Sequence, residues 1–108
     1  MNGSFEIREY VENGRSPYAE WFDGLEKVTA ARVSTYIRRI AAGNFGAAKA
    51  LQEGVFEVRM DFGPGYRVYY ARRGRTIILL LGGGSKRRQD ADIAAAVQRW
   101  KRLKQTGT

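Results

Sequence analysis

The residues of this chain best suited to chemistry are basic and aromatic side chains between Gly54 and Lys86. Arg59 and Arg67 supply cations, and Tyr69 supplies a phenol near them in the sequence. A guanidinium group offers a fork of N–H donors that fits phosphate oxygens, and a tyrosine ring can stack on a nucleic acid base. This set of side chains therefore predicts a site for a phosphodiester.

An alternation of apolar and charged residues predicts the strand that carries Arg59. Over residues 55–62 an apolar side chain occupies every second position, and Glu57, Arg59 and Asp61 lie between them. Because successive side chains of a strand point to opposite faces, one face of this strand is apolar and the other charged. Two further strands are predicted at residues 65–72 and 75–83, after a Gly-Pro-Gly turn at 63–65.

The turn also predicts how the first two of these strands pair. If Phe62 lies opposite Tyr66 across the three-residue loop, Arg59 lies opposite Tyr69 and diagonal to Arg67. We expect this polar face of the sheet to stay partly open, with Arg67 and Tyr69 exposed on it. A purely structural alternative is that the two arginines form a cross-strand ladder of ion pairs with the carboxylates of the same face.

The composition limits what the site can do. The chain has 108 residues, no cysteine and no histidine, a formal charge of +8 and a pI near 10.2. Disulfides and thiolate chemistry are excluded, and a zinc or iron site is not expected. Acid–base chemistry is left to carboxylates, Lys, Arg and Tyr. The positive charge predicts a polyanionic partner, such as nucleic acid, the ribosome or an acidic protein.

The length and the apolar pattern predict one domain over residues 1–108. The longest aliphatic run, residues 77–81, is far shorter than the roughly 20 residues that span a bilayer. The N-terminal residues carry no apolar signal segment. We therefore expect a cytoplasmic protein that makes no membrane contact.

The order of the predicted elements indicates an α+β fold. A short first strand at 5–11 precedes a helix at 17–26, which Ser16 and Pro17 begin. A second helix follows at 29–43, then a loop at 44–53 that has room for one helical turn. A final helix spans about 89–104. The order β-α-α-β-β-β-α predicts an antiparallel-dominated sheet packed by a helical hairpin and a C-terminal helix.

Three motifs cover the predicted sheet: GVFEVR at 54–59, DFGPGYRVYY at 61–70 and ILLLGGGSK at 78–86. Together with the order of elements they resemble the RelE/ParE superfamily of bacterial toxins, and most of all its HigB-like "addiction module killer protein" group. The resemblance runs from about residue 5 to residue 103. It implies a RelE-like fold and the toxin of a type II toxin–antitoxin module, held inactive by a cognate antitoxin that often contains a helix-turn-helix.

The resemblance also implies an activity. RelE-like members of the superfamily cleave mRNA in the ribosomal A site without a metal, by making a ribose 2′-hydroxyl attack the neighbouring phosphate. Such a metal-independent mRNA interferase needs no cofactor, and its partners are the ribosome and mRNA. By the same resemblance, the catalytic residues here are Arg59, Arg67, Tyr69 and Lys86. The implied RNA contacts are Asp61, Tyr70, Arg87 and Arg88, although the pairing argument above puts Tyr70 in the core.

The start of the last helix departs from the family pattern. Several ribonuclease members carry a Tyr or His there, whereas this chain has Arg88, Gln89 and Asp90. The general base is therefore open: Asp61, Glu57 or Tyr69 can substitute, or catalysis rests on positioning and charge stabilisation.

The sequence is also compatible with two functions of other classes. One is a non-enzymatic, ParE-like poison of DNA gyrase on the same fold, and the other is an RNA- or DNA-binding module without turnover. The basic and aromatic set on the sheet favours the ribonuclease, because a gyrase poison has no need of it.

Overall fold

The computed structural model describes residues 4–106, and within them one five-stranded sheet lies between helices. The elements are, in order, β1 Glu6–Glu9, α1 Pro17–Asp23, α2 Lys27–Ala41, β2 Ala48–Ala50, β3 Val55–Arg59, β4 Arg67–Arg73, β5 Ile77–Gly84, a 3-10 turn at Lys86–Arg88 and α3 Gln89–Gln105. The fold is mixed α+β, as the sequence predicts. None of the helices within residues 4–106 is both long and apolar enough to cross a membrane.

The sheet is mixed rather than purely antiparallel. Its strand order is β1-β5-β4-β3-β2, with β1 parallel to β5 and every other neighbouring pair antiparallel. The antiparallel pairs follow from short connections between consecutive strands, whereas a parallel pair needs a long crossover. Here β1 joins β5 only after the helical hairpin and three strands have intervened. The detailed RelE-like topology stays a prediction.

The prediction for residues 44–53 is wrong in one respect. Instead of a loop or a helical turn, the segment contains β2, which pairs with β3 so that Ala48 lies opposite Val58 and Ala50 opposite Phe56. Alanine has low strand propensity, and β2 is only three residues long. Its conformation is therefore set by hydrogen bonding to β3 rather than by its own sequence.

The predicted pairing of β3 with β4 is also wrong, by two residues. Arg59 lies opposite Arg67, and Glu57 opposite Tyr69. The connection is longer than the predicted three-residue turn, because β3 ends at Arg59 and the Met60 N–H donates to Tyr66 O at 2.9 Å. A slip of two residues leaves every side chain on its predicted face, so the grouping of these residues survives the error.

Both faces of the sheet are covered, which corrects the expectation of an open face. One face packs against α1 and α2 around Val58, Val68 and Tyr70. The other face packs against α3, whose apolar stripe includes Ile93, Val97 and Trp100. The residues of this second core on the sheet are Val55, Tyr69, Ala71, Leu79 and Leu81. The polar face that the alternation predicted is therefore polar only at one end.

The first and last helices begin where the sequence places them. Ser16 caps α1, its hydroxyl accepting the Ala19 N–H at 3.0 Å, and Pro17 takes the first helical position. The helix ends at Asp23, three residues earlier than predicted, and α2 begins two residues earlier, at Lys27. The hairpin therefore has a connection of three residues.

Candidate active site at one end of the sheet

The predicted cations converge at one end of the sheet. In the strand register, Arg59 on β3, Arg67 on β4 and Gly84 on β5 form one row across three strands. Lys86 follows Gly84 by two residues, and its N–H donates to Pro64 O at 3.3 Å, beside the loop that joins β3 to β4. The structure thus brings Lys86 to the same end of the sheet as Arg59 and Arg67, although it is distant from them in sequence.

The exposed members of this group form a basic rim. The side chains of Arg59, Lys86, Arg87 and Arg88 are exposed. Above the 3-10 turn, residues 86–91 line a depression of about 460 Å³. Asp61 is also exposed, in the loop that follows Arg59. This end of the sheet can accept a phosphate group because several cations face solvent around a shallow depression.

Arg67 differs from the rim because it is buried, which corrects the expectation that it is exposed. Only 5% of Arg67 and 5% of Glu57 are accessible. Arg67 Nε lies 3.4 Å from Glu57 Oε2, and Nη1 donates to Gly65 O at 2.7 Å. The cross-strand ion pair of the structural alternative is thus confirmed for Glu57 and Arg67. Within residues 4–106, neither Arg59 nor Asp61 forms an ion pair.

Gln89 extends this buried pair into a chain of polar contacts. Its Nε2 donates to Glu57 Oε1 at 3.0 Å, so both Glu57 oxygens have a partner and Arg67 is held through Glu57. Gln89 is the first residue of α3 and one of the three residues that stand where the superfamily pattern has a Tyr or His. The sequence gives no signal for this contact, since the two residues are 32 positions apart.

The two tyrosines are both buried, and the prediction for Tyr69 is therefore wrong. Tyr69 is fully buried beneath α3, and its hydroxyl has no hydrogen-bond partner within the described residues. Burial, followed by the charges of Glu57 and Asp92, raises the pKa of the Tyr69 hydroxyl. An open position for this side chain is impossible because α3 lies over it.

Tyr70 lies in the opposite core, as expected. It is 2% exposed and stacks on Phe56 and on Phe45, with centroid distances of 5.4 and 6.0 Å. Burial raises the pKa of its hydroxyl. A role in RNA contact would therefore need this ring to leave the core.

Asp92 is a neighbour of the site that sequence reasoning missed. Its Oδ2 is buried without a hydrogen-bond partner among residues 4–106, and Oδ1 lies 3.9 Å from Arg88 Nε. Burial raises the pKa of the Asp92 carboxyl, although Arg88 and Arg99 oppose the shift. Within the described residues, no group of three acidic side chains could hold a metal ion.

The run of three glycines at the end of β5 is the sequence feature that could have indicated the close approach of Asp92. A glycine inside a strand often marks a close approach by another group. A β-carbon at Gly84 would overlap Asp92, one at Gly83 would overlap the ring of Trp21, and one at Gly82 would lie 2.8 Å from Arg99 Nη1. The three glycines thus let helices approach β5 from both faces.

The fold and the site define a small α+β protein with a group of exposed cations at one end of its sheet. Residues 20–101 match the family described as phage derived protein Gp49-like (DUF891), and the chain belongs to this family. It is a family of RelE-like toxins. A relative in Haemophilus influenzae (strain KW20 / Rd), named only as an uncharacterized protein, is 40% identical over 80 residues, which cover 73% of this chain and 81% of that protein.

Proposed function

We propose that this chain is the toxin of a type II toxin–antitoxin module, of the HigB-like group, and that it acts as a metal-independent, ribosome-dependent mRNA endoribonuclease. The observation that carries the proposal is the row of Arg59, Arg67 and Gly84 across three strands, with Lys86 beside it. It supports the proposal because the register places these basic residues at the same end of the sheet, where Arg59 and Lys86 are exposed to solvent. Family membership supports the toxin class but not the reaction.

In the proposed reaction, the 2′ oxygen of a message nucleotide forms a bond to phosphorus while the bond to the next nucleotide's 5′ oxygen breaks. A base takes the 2′ proton, and an acid supplies a proton to the leaving oxygen. Negative charge accumulates on the phosphate oxygens in the transition state. Fixed cations stabilise that charge without having to reorganise.

Because Arg67 is buried, its role in the proposed reaction differs from that of the exposed cations. Arg59 and Lys86 are exposed and would contact the phosphate directly. Arg67 is held by Glu57 and by the Gly65 carbonyl, so its charge is fixed just beneath them. Because the Glu57 carboxylate pairs with this charge, Arg67 would act mainly by positioning the end of β4 beside Arg59.

Of the three candidate bases, Asp61 is the best placed. The carboxylate of Glu57 is buried and already has two partners. The hydroxyl of Tyr69 is buried with a raised pKa, which makes it a poor proton acceptor at neutral pH. Asp61 is exposed in the loop after β3, close in sequence to Arg59. We therefore propose Asp61 as the base and a rim cation as the group that assists the leaving oxygen.

One observation favours the alternative, a non-enzymatic ParE-like gyrase poison. Tyr69, which the resemblance implies as catalytic, is fully covered by α3. A protein that only binds gyrase has no need to expose it. The two functions are separated by assay rather than by fold.

The proposed partners are a cognate antitoxin, expected to carry a helix-turn-helix, and the ribosome with its mRNA. Covering the basic rim would neutralise the toxin, because the rim provides the exposed cations of the site. The proposed location of this encounter is the cytoplasm.

Primer extension on a defined message tests the proposal. The purified protein is added with and without translating ribosomes, and the double variant Arg59→Ala/Lys86→Ala is compared with the wild type. We expect new 5′ ends within A-site codons only when ribosomes are present, and none with the double variant. Arg75→Ala is the matched control, since Arg75 is an exposed arginine in the turn at the opposite end of β4 and β5.

Intact message, combined with arrested growth of cells that express the protein, would rule out the ribonuclease. A DNA gyrase supercoiling assay would then test the alternative. Cleavage that survives in the double variant at the wild-type rate would refute the site while leaving the reaction class in place.

A further inference from the structure

The outer surface of α2 carries an unusual concentration of one charge. From residue 27 to residue 52 the chain contains five basic residues and no acidic residue. Four of the five, Lys27, Arg32, Arg38 and Arg39, belong to α2, and all four are exposed. This surface belongs to the hairpin layer of the protein, on the other side of the sheet from α3.

Two of these arginines are held in place by aromatic rings. Arg32 Cζ lies 4.1 Å from the centroid of the Phe62 ring, and Arg39 Cζ lies 5.3 Å from that of Tyr36. The two rings pack against each other with centroids 6.1 Å apart. The result is a surface ladder of cation, ring, ring and cation, which we call the α2 ladder.

The α2 ladder has no carboxylate to neutralise it. Among residues 4–106, none of the arginines of α2 forms an ion pair. Two exposed arginines elsewhere do have a carboxylate partner: Arg8 pairs with Glu6, and Arg15 pairs with Glu20. A ring contact occupies one face of a guanidinium group and leaves its N–H donors available for a phosphate. The ladder is therefore a preorganised, uncompensated set of phosphate donors.

The position of the ladder connects it with the candidate active site. Tyr36 Oη accepts the Asp61 N–H at 3.5 Å, and Phe62 directly follows Asp61. Arg32 and Arg39 are seven residues apart, so they lie about 10.5 Å apart along the helix axis on one side of it. Two cations at that separation fit the backbone of an extended polyanion better than they fit a single nucleotide.

We propose that the α2 ladder is a second RNA contact, which docks the phosphate backbone of double-helical RNA while the basic rim acts on a single-stranded message. The inference rests on the proposed function, which supplies RNA as the partner. Charge complementarity favours RNA, because α2 carries four exposed cations and no acidic residue. Double-helical RNA is recognised mainly through its shape and its phosphates, which suits a rigid pair of arginines.

Binding to an RNA duplex of about 20 base pairs, measured by fluorescence anisotropy between about 50 and 200 mM salt, tests the inference. The variant Arg32→Gln/Arg39→Gln is expected to reduce the slope of log K against log salt by about 1.5 to 2, because each lost phosphate contact removes about 0.9 from it. The matched control Arg8→Gln/Arg15→Gln removes the same charge from ion-paired arginines and is expected to change the slope by less than about 0.5.

A second variant separates charge from geometry. Arg32→Lys/Arg39→Lys keeps the net charge but replaces the fork of donors and its ring contact, so we expect a loss of affinity between those of the wild type and the glutamine variant. The near-ultraviolet spectrum of each variant verifies that it is folded before binding is measured.

Three outcomes would overturn the inference. Equal losses in the ladder variant and the control would show an effect of net charge alone. Tighter binding to a DNA duplex of the same sequence would make DNA the partner. Binding of polyglutamate that is lost in parallel with RNA binding would indicate an acidic protein. The assay uses neither ribosomes nor a cleavable message. A negative result would therefore refute the RNA contact at the α2 ladder without refuting the ribonuclease, and a failed cleavage assay would not refute the RNA contact.

Discussion

The side chain of Asp92 lies directly against the backbone of Gly84, in the space that a side chain at position 84 would take. A β-carbon at position 84 would overlap Asp92 Oδ2, and it would lie 2.9 Å from the carboxyl carbon. This contact joins the start of α3 to the end of β5, and the row of Arg59 and Arg67 ends at the same glycine. The geometry of the candidate site therefore depends on a glycine that carries no functional group.

Gly84→Ala is expected to lower the free energy of unfolding by about 1–3 kcal/mol, because the added methyl group overpacks the contact between β5 and α3. Urea unfolding measures the change. The control is Gly82→Ala, whose β-carbon would meet only the end of the flexible Arg99 side chain, and a smaller loss is expected. Adding Asp92→Ala to Gly84→Ala should restore part of the stability. No recovery in that double variant would mean that Asp92 is not the obstruction.

Arg67→Ala is expected to destabilise the fold by about 3–5 kcal/mol, since it leaves the Glu57 carboxylate buried without its cation. Equilibrium unfolding in urea gives the value. The exposed Arg59→Ala should change stability by no more than about 0.5 kcal/mol. A loss below about 1 kcal/mol in Arg67→Ala would contradict the buried ion pair. Because of this expected loss, Arg67 is a poor test residue for activity.

The stability of the protein should depend on the protonation of Asp92. Burial raises the pKa of its carboxyl in the folded state, so the folded chain binds this proton more tightly than the unfolded chain does. The resulting contribution to stability is complete below the unfolded pKa of about 3.9 and is lost as pH rises through the folded pKa.

A comparison of the wild type with Asp92→Asn checks the direction in which stability changes with pH. We expect the variant to gain stability relative to the wild type as pH rises from about 4 through the raised pKa, and the gain to level off above it. Urea unfolding between about pH 4 and pH 8 provides the measurement, with the exposed Asp90→Asn as control. A stability difference that shrinks with rising pH would show that the carboxylate is stabilised rather than desolvated.

Asp61→Asn is expected to lower kcat for ribosome-dependent cleavage by about 10²–10⁴-fold if Asp61 is the base, with little change in stability because the side chain is exposed. Single-turnover cleavage of a programmed ribosome complex measures the rate. Asp23→Asn, an exposed residue at the end of α1, serves as control. A rate within about threefold of the wild type would show that Asp61 is not the base, and catalysis would then rest on charge stabilisation alone.

Much of the site could be predicted because local pattern determines which face a side chain takes. The period of two in β3 grouped Glu57 with Arg59, and this grouping holds even though the register is shifted by two residues. The prediction of which side chains on this face are exposed to solvent was wrong. Arg67 and Tyr69 were expected to be exposed, but the apolar stripe of α3 packs on their side of the sheet. A strand sequence contains no information on which helix will cover its far face.

The sequence by itself determined the α+β class, the order of the elements apart from β2, the start of α1 at Ser16 and Pro17, and the basic character of the chain. These follow from side-chain periodicity, capping and charge, which act over a few residues. Only the tertiary structure decided that β1 lies parallel to β5, that Gln89 holds Glu57 and that Asp92 meets Gly84. Those contacts join residues distant in sequence, or depend on atoms brought together by helix packing, so local propensity cannot specify them.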